Sequence, residues 1–235
     1  MAVIATPGGR SLTTCVFDLD DTLYPRAAGV MAAVGARIRR YMVERLGFDP
    51  ATVDAARREL YTRYGTALRG LQVQGRVDAE DYLAFVHDID LAQYLEPAPA
   101  LDAALEALPL DKVVFTNSNR EHAERVLARL GIRRHFAHLI DLRDIDFQCK
   151  PSLHAYERLL ERIGQPPAAC LYVEDAPHNL RPAAALGMVT VLVDPLGQPC
   201  EEFDFCIPAV MQIGEVIEGL RAGQPSHGGG NGHVT

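Results

Sequence analysis

The segment Thr14-Cys15-Val16-Phe17-Asp18 is apolar, shows no alternation of polarity and ends in carboxylates. A strand that needs apolar side chains on both faces lies between two layers, as a strand of a parallel sheet does. Runs of the same kind recur at Lys112-Val113-Val114-Phe115-Thr116, His138-Leu139-Ile140-Asp141, Cys170-Leu171-Tyr172-Val173-Glu174 and Val189-Thr190-Val191-Leu192-Val193. Helical patterns fall between them, at about 119 to 130, 152 to 163 and 179 to 187. Strands alternating with helices predict an α/β fold, a doubly wound parallel sheet with right-handed crossovers.

From Arg26 to about Leu95 the strand pattern stops. Val30, Val34, Ile38 and Tyr41 or Met42 recur at helical spacing, and Gly47 is expected to end that helix. Asp49-Pro50 is expected to start another, as an N-cap followed by proline, and Asp78 a further one, with Asp81 three residues on. Glu96-Pro97-Ala98-Pro99 suits a stiff return to the core. The expected organisation is therefore a core of residues 1–25 and 96–222, an inserted helical cap of residues 26–95, and a Gly-rich tail, 223–235, without apolar periodicity and expected to be disordered.

Composition narrows the function classes. A chain of 235 residues, 48% hydrophobic and 23% charged, is ordinary for a globular protein, and no apolar run approaches the roughly 18 residues of a membrane span. The formal charge of −8 argues against a nucleic-acid surface, and Arg37-Ile38-Arg39-Arg40 reads as the wet face of a helix. Five cysteines without a Cys-x-x-Cys pair read as small core residues, neither a disulfide framework nor a zinc site, and suit a reduced compartment. The start, MAVIATPGGRSL, carries no export or organelle signal, so a cytoplasmic location is expected.

In open α/β sheets ligands bind beyond the carboxyl ends of the strands. Here those ends read Asp18-Leu19-Asp20-Asp21-Thr22, Thr116-Asn117-Ser118 and Glu174-Asp175, and Lys150 lies in the loop Phe147-Gln148-Cys149-Lys150-Pro151. Together they supply what phosphoryl transfer from a monoester needs. Asp18, with a reference pKa of about 3.9, can attack phosphorus and form an aspartyl-phosphate. Asp20 can serve as acid to the leaving oxygen and later as base to water, its pKa expected to be raised by nearby negative charge. Carboxylates around a phosphate dianion call for a cation. Mg²⁺ suits Asp18, Asp175, the Asp20 carbonyl and Glu174 as ligands. Lys150 would balance remaining charge, an ammonium at about 4 Å contributing about 4 kcal/mol at an effective dielectric near 20. Thr116 and Asn117 would hold the equatorial oxygens.

Asp18-x-Asp20-x-Thr22, Thr116-Asn117, Lys150-Pro151 and Glu174-Asp175 followed by Asn179 resemble the four ordered motifs of the haloacid dehalogenase-like superfamily. The resemblance implies a Rossmann-like core, a helical cap after the first motif, an obligate Mg²⁺ and an Asp nucleophile. More narrowly, Asp18 to Pro25, Tyr64-Gly65 with Arg69-Gly70-Leu71, Val86-His87-Asp88, and Phe115-Thr116-Asn117 with His122 and Leu130-Gly131 are similar to the pyrimidine 5′-nucleotidase branch. That implies UMP or CMP as substrate, with Arg69, His87, Asp88 and Asn117 as candidate substrate contacts. The same pattern leaves sugar phosphates, phosphoglycolate or lysophosphatidate as the alternative substrates. The expected partner is thus a small phosphorylated metabolite, with no nucleic acid and no membrane, and the chain a monomer or homodimer. His122 is open between a helix-surface contact and a substrate contact.

Three other readings share parts of this pattern. Hydrolytic dehalogenation through an Asp ester needs neither Mg²⁺ nor Asp20. A phosphoacceptor signalling module places its acidic pair first in the chain and is about half this size. A phosphomutase would show a requirement for a sugar bisphosphate.

Overall fold

A computed structural model describes residues 3–7, 9–197 and 200–223 of the chain. A short antiparallel hairpin, β1 (Ile4–Ala5) and β2 (Ser11–Leu12), leads into β3 (Thr14–Phe17). With β4 (Asp111–Phe115), β5 (Phe136–Ile140), β6 (Cys170–Glu174), β7 (Val189–Val193) and β8 (Phe205–Ile207), β3 forms a six-stranded sheet in the order β5-β4-β3-β6-β7-β8. Every pairing in it is parallel. The fold is the expected Rossmann-like α/β sheet.

Successive residues of β3 point to opposite faces, so Cys15 and Phe17 join one hydrophobic layer and Val16 the other. All four residues of β3 are buried, which is why its sequence shows no alternation. Helices α5 (Pro99–Ala107), α6 (Arg120–Leu130), α7 (Leu153–Ile163), α8 (Pro177–Leu186) and α9 (Ile213–Ala222) accompany this sheet. Strand β8 and helix α9 extend the core beyond the strands expected from sequence.

Between β3 and α5 lie the helices α1 (Val30–Glu44), α2 (Val53–Tyr64), α3 (Ala67–Val73) and α4 (Ala79–Val86). Asp78 caps α4, its Oδ1 accepting from the Asp81 amide at 2.9 Å. The Asp49-Pro50 signal works differently from expectation. Asp49 Oδ1 accepts from the Ala51 amide at 2.9 Å in a turn, and α2 starts only at Val53. Arg143, beyond β5, joins this helical insert to the core, its Nε and Nη2 donating to Glu80 at 2.9 and 2.5 Å.

The cysteine reading needs correction. Cys15, Cys149 and Cys170 are free and buried, but Cys200 and Cys206 form a disulfide with Cα atoms 6.1 Å apart. Among the described residues no helix is long and apolar enough to cross a membrane. Apart from Gly223, the Gly-rich tail lies outside the described residues.

Candidate active site

Strand β3 delivers Asp18 to the sheet's carboxyl end, where its amide donates to the Val173 carbonyl of β6 at 2.9 Å. Asp18 is 6% exposed and lines a cavity of about 330 Å³ together with Asp20, Thr116, Asn117, Lys150, Glu174 and Asp175. Three separate strand ends and one loop thus meet at one point.

Lys150 is the hub. Its Nζ donates to Asp18 Oδ1 at 2.6 Å, Glu174 Oε2 at 2.9 Å, the Tyr172 hydroxyl at 2.9 Å and the Phe115 carbonyl at 3.0 Å. Burial opposes the ammonium, but the charges of Asp18 and Glu174 hold its pKa well above the ordinary lysine range. Asn117 fixes this loop. Its Oδ1 accepts from the Lys150 amide at 2.8 Å and its Nδ2 donates to the Lys150 carbonyl at 3.1 Å. The Asn117 side chain therefore holds the Lys150 loop through its Oδ1 and one of its two Nδ2 N–H groups. Thr116 Oγ1 accepts from the Ser118 amide at 2.9 Å.

Gly65, at the end of α2, has φ +81°, and a Cβ there would stand 2.7 Å from the Lys150 carbonyl oxygen. Only glycine lets the helical insert approach the Lys150 loop this closely. Cys149 lies in the same contact and donates its thiol to the Tyr64 carbonyl at 3.3 Å, and burial pushes its pKa up.

Asp18, Glu174 and Asp175 bring one carboxylate oxygen each within 4.8 Å of one another. Burial and the charge of Glu174 push Asp18 well above the usual carboxylate range, with Lys150 offsetting only part. Burial and Glu174 likewise raise Asp175 to about 7, while Lys150 and the Tyr172 hydroxyl overcome burial and hold Glu174 low. One ammonium does not offset three crowded carboxylates, and two of the three hold on to protons that a cation would displace. An all-oxygen set of this kind fits a hard divalent cation such as Mg²⁺.

Asp20 departs from expectation. Its Oδ1 accepts from the Tyr24 hydroxyl at 2.5 Å and His122 Nε2 at 2.9 Å, and its Oδ2 from Ser118 Oγ at 2.6 Å. Burial would raise its pKa, but His122 and the hydroxyls of Ser118 and Tyr24 outweigh burial and hold it well below the usual range. The expected rise is reversed because three donors, none of them recognised in the sequence as partners of Asp20, converge on one carboxylate. His122 is neither a surface contact nor a cavity-lining group. It is wholly buried and stacks on His87 with ring centroids 4.5 Å apart.

Of the candidate substrate contacts, His87 and Asn117 line the cavity and Arg69 and Asp88 do not. Asp88 is 81% exposed and pairs with Arg37 at 3.1 Å. Its neighbour His87 is turned inward at the end of α4, so the exposed side of the turn falls to Asp88. The upper wall is made by the insert and is largely apolar: Met31, Val34 and Ile38 from α1, Leu68 from α3, Leu83 and Val86 from α4. Tyr172 was findable. It lies two residues before Glu174 on a strand and so shares its face.

The model of the family described as haloacid dehalogenase-like hydrolase matches residues 12–187. Phosphate metabolism protein 8 of Saccharomyces cerevisiae is 28% identical over 191 residues, 75% of this chain, and the chain spans 60% of that relative's length. Among solved structures, a HAD phosphatase from Thermococcus onnurineus is similar with a TM-score of 0.61 at 17% identity, covering 89% of this chain and 100% of that one. The L-2-haloacid dehalogenase of Xanthobacter autotrophicus has a TM-score of 0.59 at 18% identity, with coverages of 89% and 99%. A magnesium-bound HAD-hydrolase of Bacillus subtilis has a TM-score of 0.56 at 16% identity, with coverages of 88% and 98%. At these identities the structures speak for the fold.

Proposed function

The chain belongs to the haloacid dehalogenase-like hydrolases, and from that premise we propose that it is a Mg²⁺-dependent phosphatase working through an aspartyl-phosphate on Asp18. The observation that carries this reading is the second carboxylate, Asp20, held by Tyr24, Ser118 and His122 in the wall of the same cavity. Ester chemistry on a haloacid has no use for it, whereas a phosphate monoester needs an acid and a base. The name of the yeast relative, a phosphate metabolism protein, is in keeping with this.

In the proposed reaction an Asp18 oxygen attacks phosphorus while Lys150 holds the carboxylate in place through Oδ1. The bond from phosphorus to the leaving oxygen breaks as Asp20 hands that oxygen a proton. Asp20 rests ionised, and an arriving phosphate dianion raises its proton affinity, so it takes up this proton on binding. Asp20 then removes a proton from water, which attacks the phosphorus of the aspartyl-phosphate and frees Asp18. Asp18, the Asp20 carbonyl, Asp175 and Glu174 are the groups that would hold Mg²⁺, whose chemistry there is to offset the charge of phosphate and carboxylates. Residues 26–95 act as the cap over residues 1–25 and 96–222, excluding bulk water.

For the substrate we propose a pyrimidine nucleoside 5′-monophosphate, UMP or CMP. Support comes from the nucleotidase-like stretches Asp18 to Pro25 and Val86-His87, and from a cavity of about 330 Å³ with His87 in its wall. The aliphatic wall favours lysophosphatidate as a second reading. A phosphate-release panel of nucleotides, sugar phosphates, phosphoglycolate and lysophosphatidate, with and without chelator, tests both levels. Pyrimidine nucleotides ranking no better than the rest would remove the narrow reading, and activity surviving full chelation would remove the broad one.

A further inference from the structure

Three cationic side chains, Arg26, Arg57 and Lys150, line the cavity beside its carboxylates. Two of them are occupied. Lys150 pairs with Asp18 and Glu174, and Arg26 pairs with Asp21 at 3.0 Å and reaches Asp175 at 3.7 Å. Arg57, from α2, forms no ion pair among the described residues, and its one hydrogen bond is a long one, Nη1 to the Gly35 carbonyl at 3.3 Å.

Gly35 explains how the guanidinium comes to be there. Glycine inside a helix costs about 0.5–1 kcal/mol relative to alanine, and Gly35 sits in the middle of α1 without a positive φ that would require it. A Cβ at this position would meet Arg57 Nη1 at 2.7 Å. The missing side chain is what leaves room for Arg57 to cross α1, beside the aliphatic Met31, Val34 and Ile38.

A guanidinium keeps its charge at any physiological pH and presents five donors in a planar fork. Arg57 is half-buried, and the donors that no described residue takes up stay open to the cavity, where a bound molecule can meet them. We infer that Arg57 is a specificity-determining residue that binds a planar oxygen acceptor on the organic part of the substrate, in the first instance the ring carbonyl of a pyrimidine base. This rests on the phosphatase reading and deepens the nucleotide assignment. The alkyl tail of a lysophosphatidate offers Arg57 nothing, and its ester carbonyl is a single such acceptor.

The test compares Arg57→Met, Arg57→Lys and Gly35→Ala with the unaltered protein on UMP, CMP, phosphoglycolate and phenyl phosphate, which carries no acceptor oxygen beyond its phosphate. Arg57→Met should lower kcat/KM on UMP and CMP about 10- to 100-fold, mainly through KM, and at least about tenfold more than on phenyl phosphate. Arg57→Lys should recover only part of this, because an ammonium lacks the fork. Gly35→Ala favours the helix but displaces the guanidinium, so it should show the same substrate-dependent loss without loss of thermal stability. Equal losses on UMP and phenyl phosphate, or none on any substrate with an acceptor, would overturn the inference. A protein that prefers phosphoglycolate, with the Arg57→Met loss following its carboxylate, would remove the nucleotide reading and leave Arg57 as acceptor-binding residue.

Discussion

His122 Nε2 lies 2.9 Å from Asp20 Oδ1 while its ring, wholly buried, stacks on His87. A residue of α6 thereby fixes the carboxylate proposed to move the protons, and a residue at the end of α4 backs it. The proposed acid and base is therefore held from both the core and the insert.

Loosening Asp20 should slow the chemistry and leave binding alone. A hydrogen bond to a charged group is worth about 1.5–3 kcal/mol, so Ser118→Ala and Tyr24→Phe should each lower kcat about 10- to 100-fold with KM little changed. Steady-state kinetics on the preferred substrate checks this. A rise in KM at constant kcat would place these donors in substrate binding instead.

His87 should make the protein acid-sensitive. Burial, then the nearby His122, lowers its pKa to about 3, against an ordinary value of about 6.5 in the unfolded chain. The unfolded state then takes up the proton first. Stability is complete above about pH 6.5 and is lost as pH falls toward 3, by about 2 kcal/mol at pH 5 from this residue alone. Urea denaturation at pH 7.5 and 5 should show a smaller drop for His87→Phe than for the unaltered protein. Equal drops would mean that His87 does not carry the effect.

Asp175, proposed as a Mg²⁺ ligand, should contribute to the pH dependence of cation binding. Its carboxyl, pushed up to about 7 by burial and Glu174, holds a proton in the folded chain that an unfolded aspartate gives up near 4. Metal-free stability should therefore fall as pH rises from about 4 through 7. Mg²⁺ must displace that proton, so its affinity should rise over the same range and binding should release protons. Calorimetric titration in buffers of different ionisation enthalpy should find more proton release at pH 6 than at pH 8. Asp175→Asn should reduce the difference, Asp18 being raised as well, and an unchanged difference in that variant would count against Asp175.

The core and the carboxylate cluster were legible because buried parallel strands are continuous in sequence and end in the residues that matter. Thr14 to Phe17, Cys170 to Glu174 and Val189 to Val193 needed no tertiary knowledge. The partners of Asp20 were not legible, since Ser118 and His122 are about a hundred residues away and meet it only through the sheet order. In the insert, rotation of each helix is set by packing on its neighbours. Arg69, outside the cavity, and Arg57, inside it, both stand among helical residues with similar credentials in sequence. Asp49-Pro50 misled because the same residues make a turn as readily as a cap. Strand β8 has three residues, too few for any period to show.

The nucleophile is tested most directly by rapid acid quench of substrate labelled in its phosphoryl group, followed by mapping of the labelled peptide. Label should appear as an acyl phosphate on Asp18 and reach stoichiometry well before product accumulates. Asp18→Asn should carry none while melting as a folded protein. Label on another residue, or phosphate release at a near-normal rate by Asp18→Asn, would contradict the assignment.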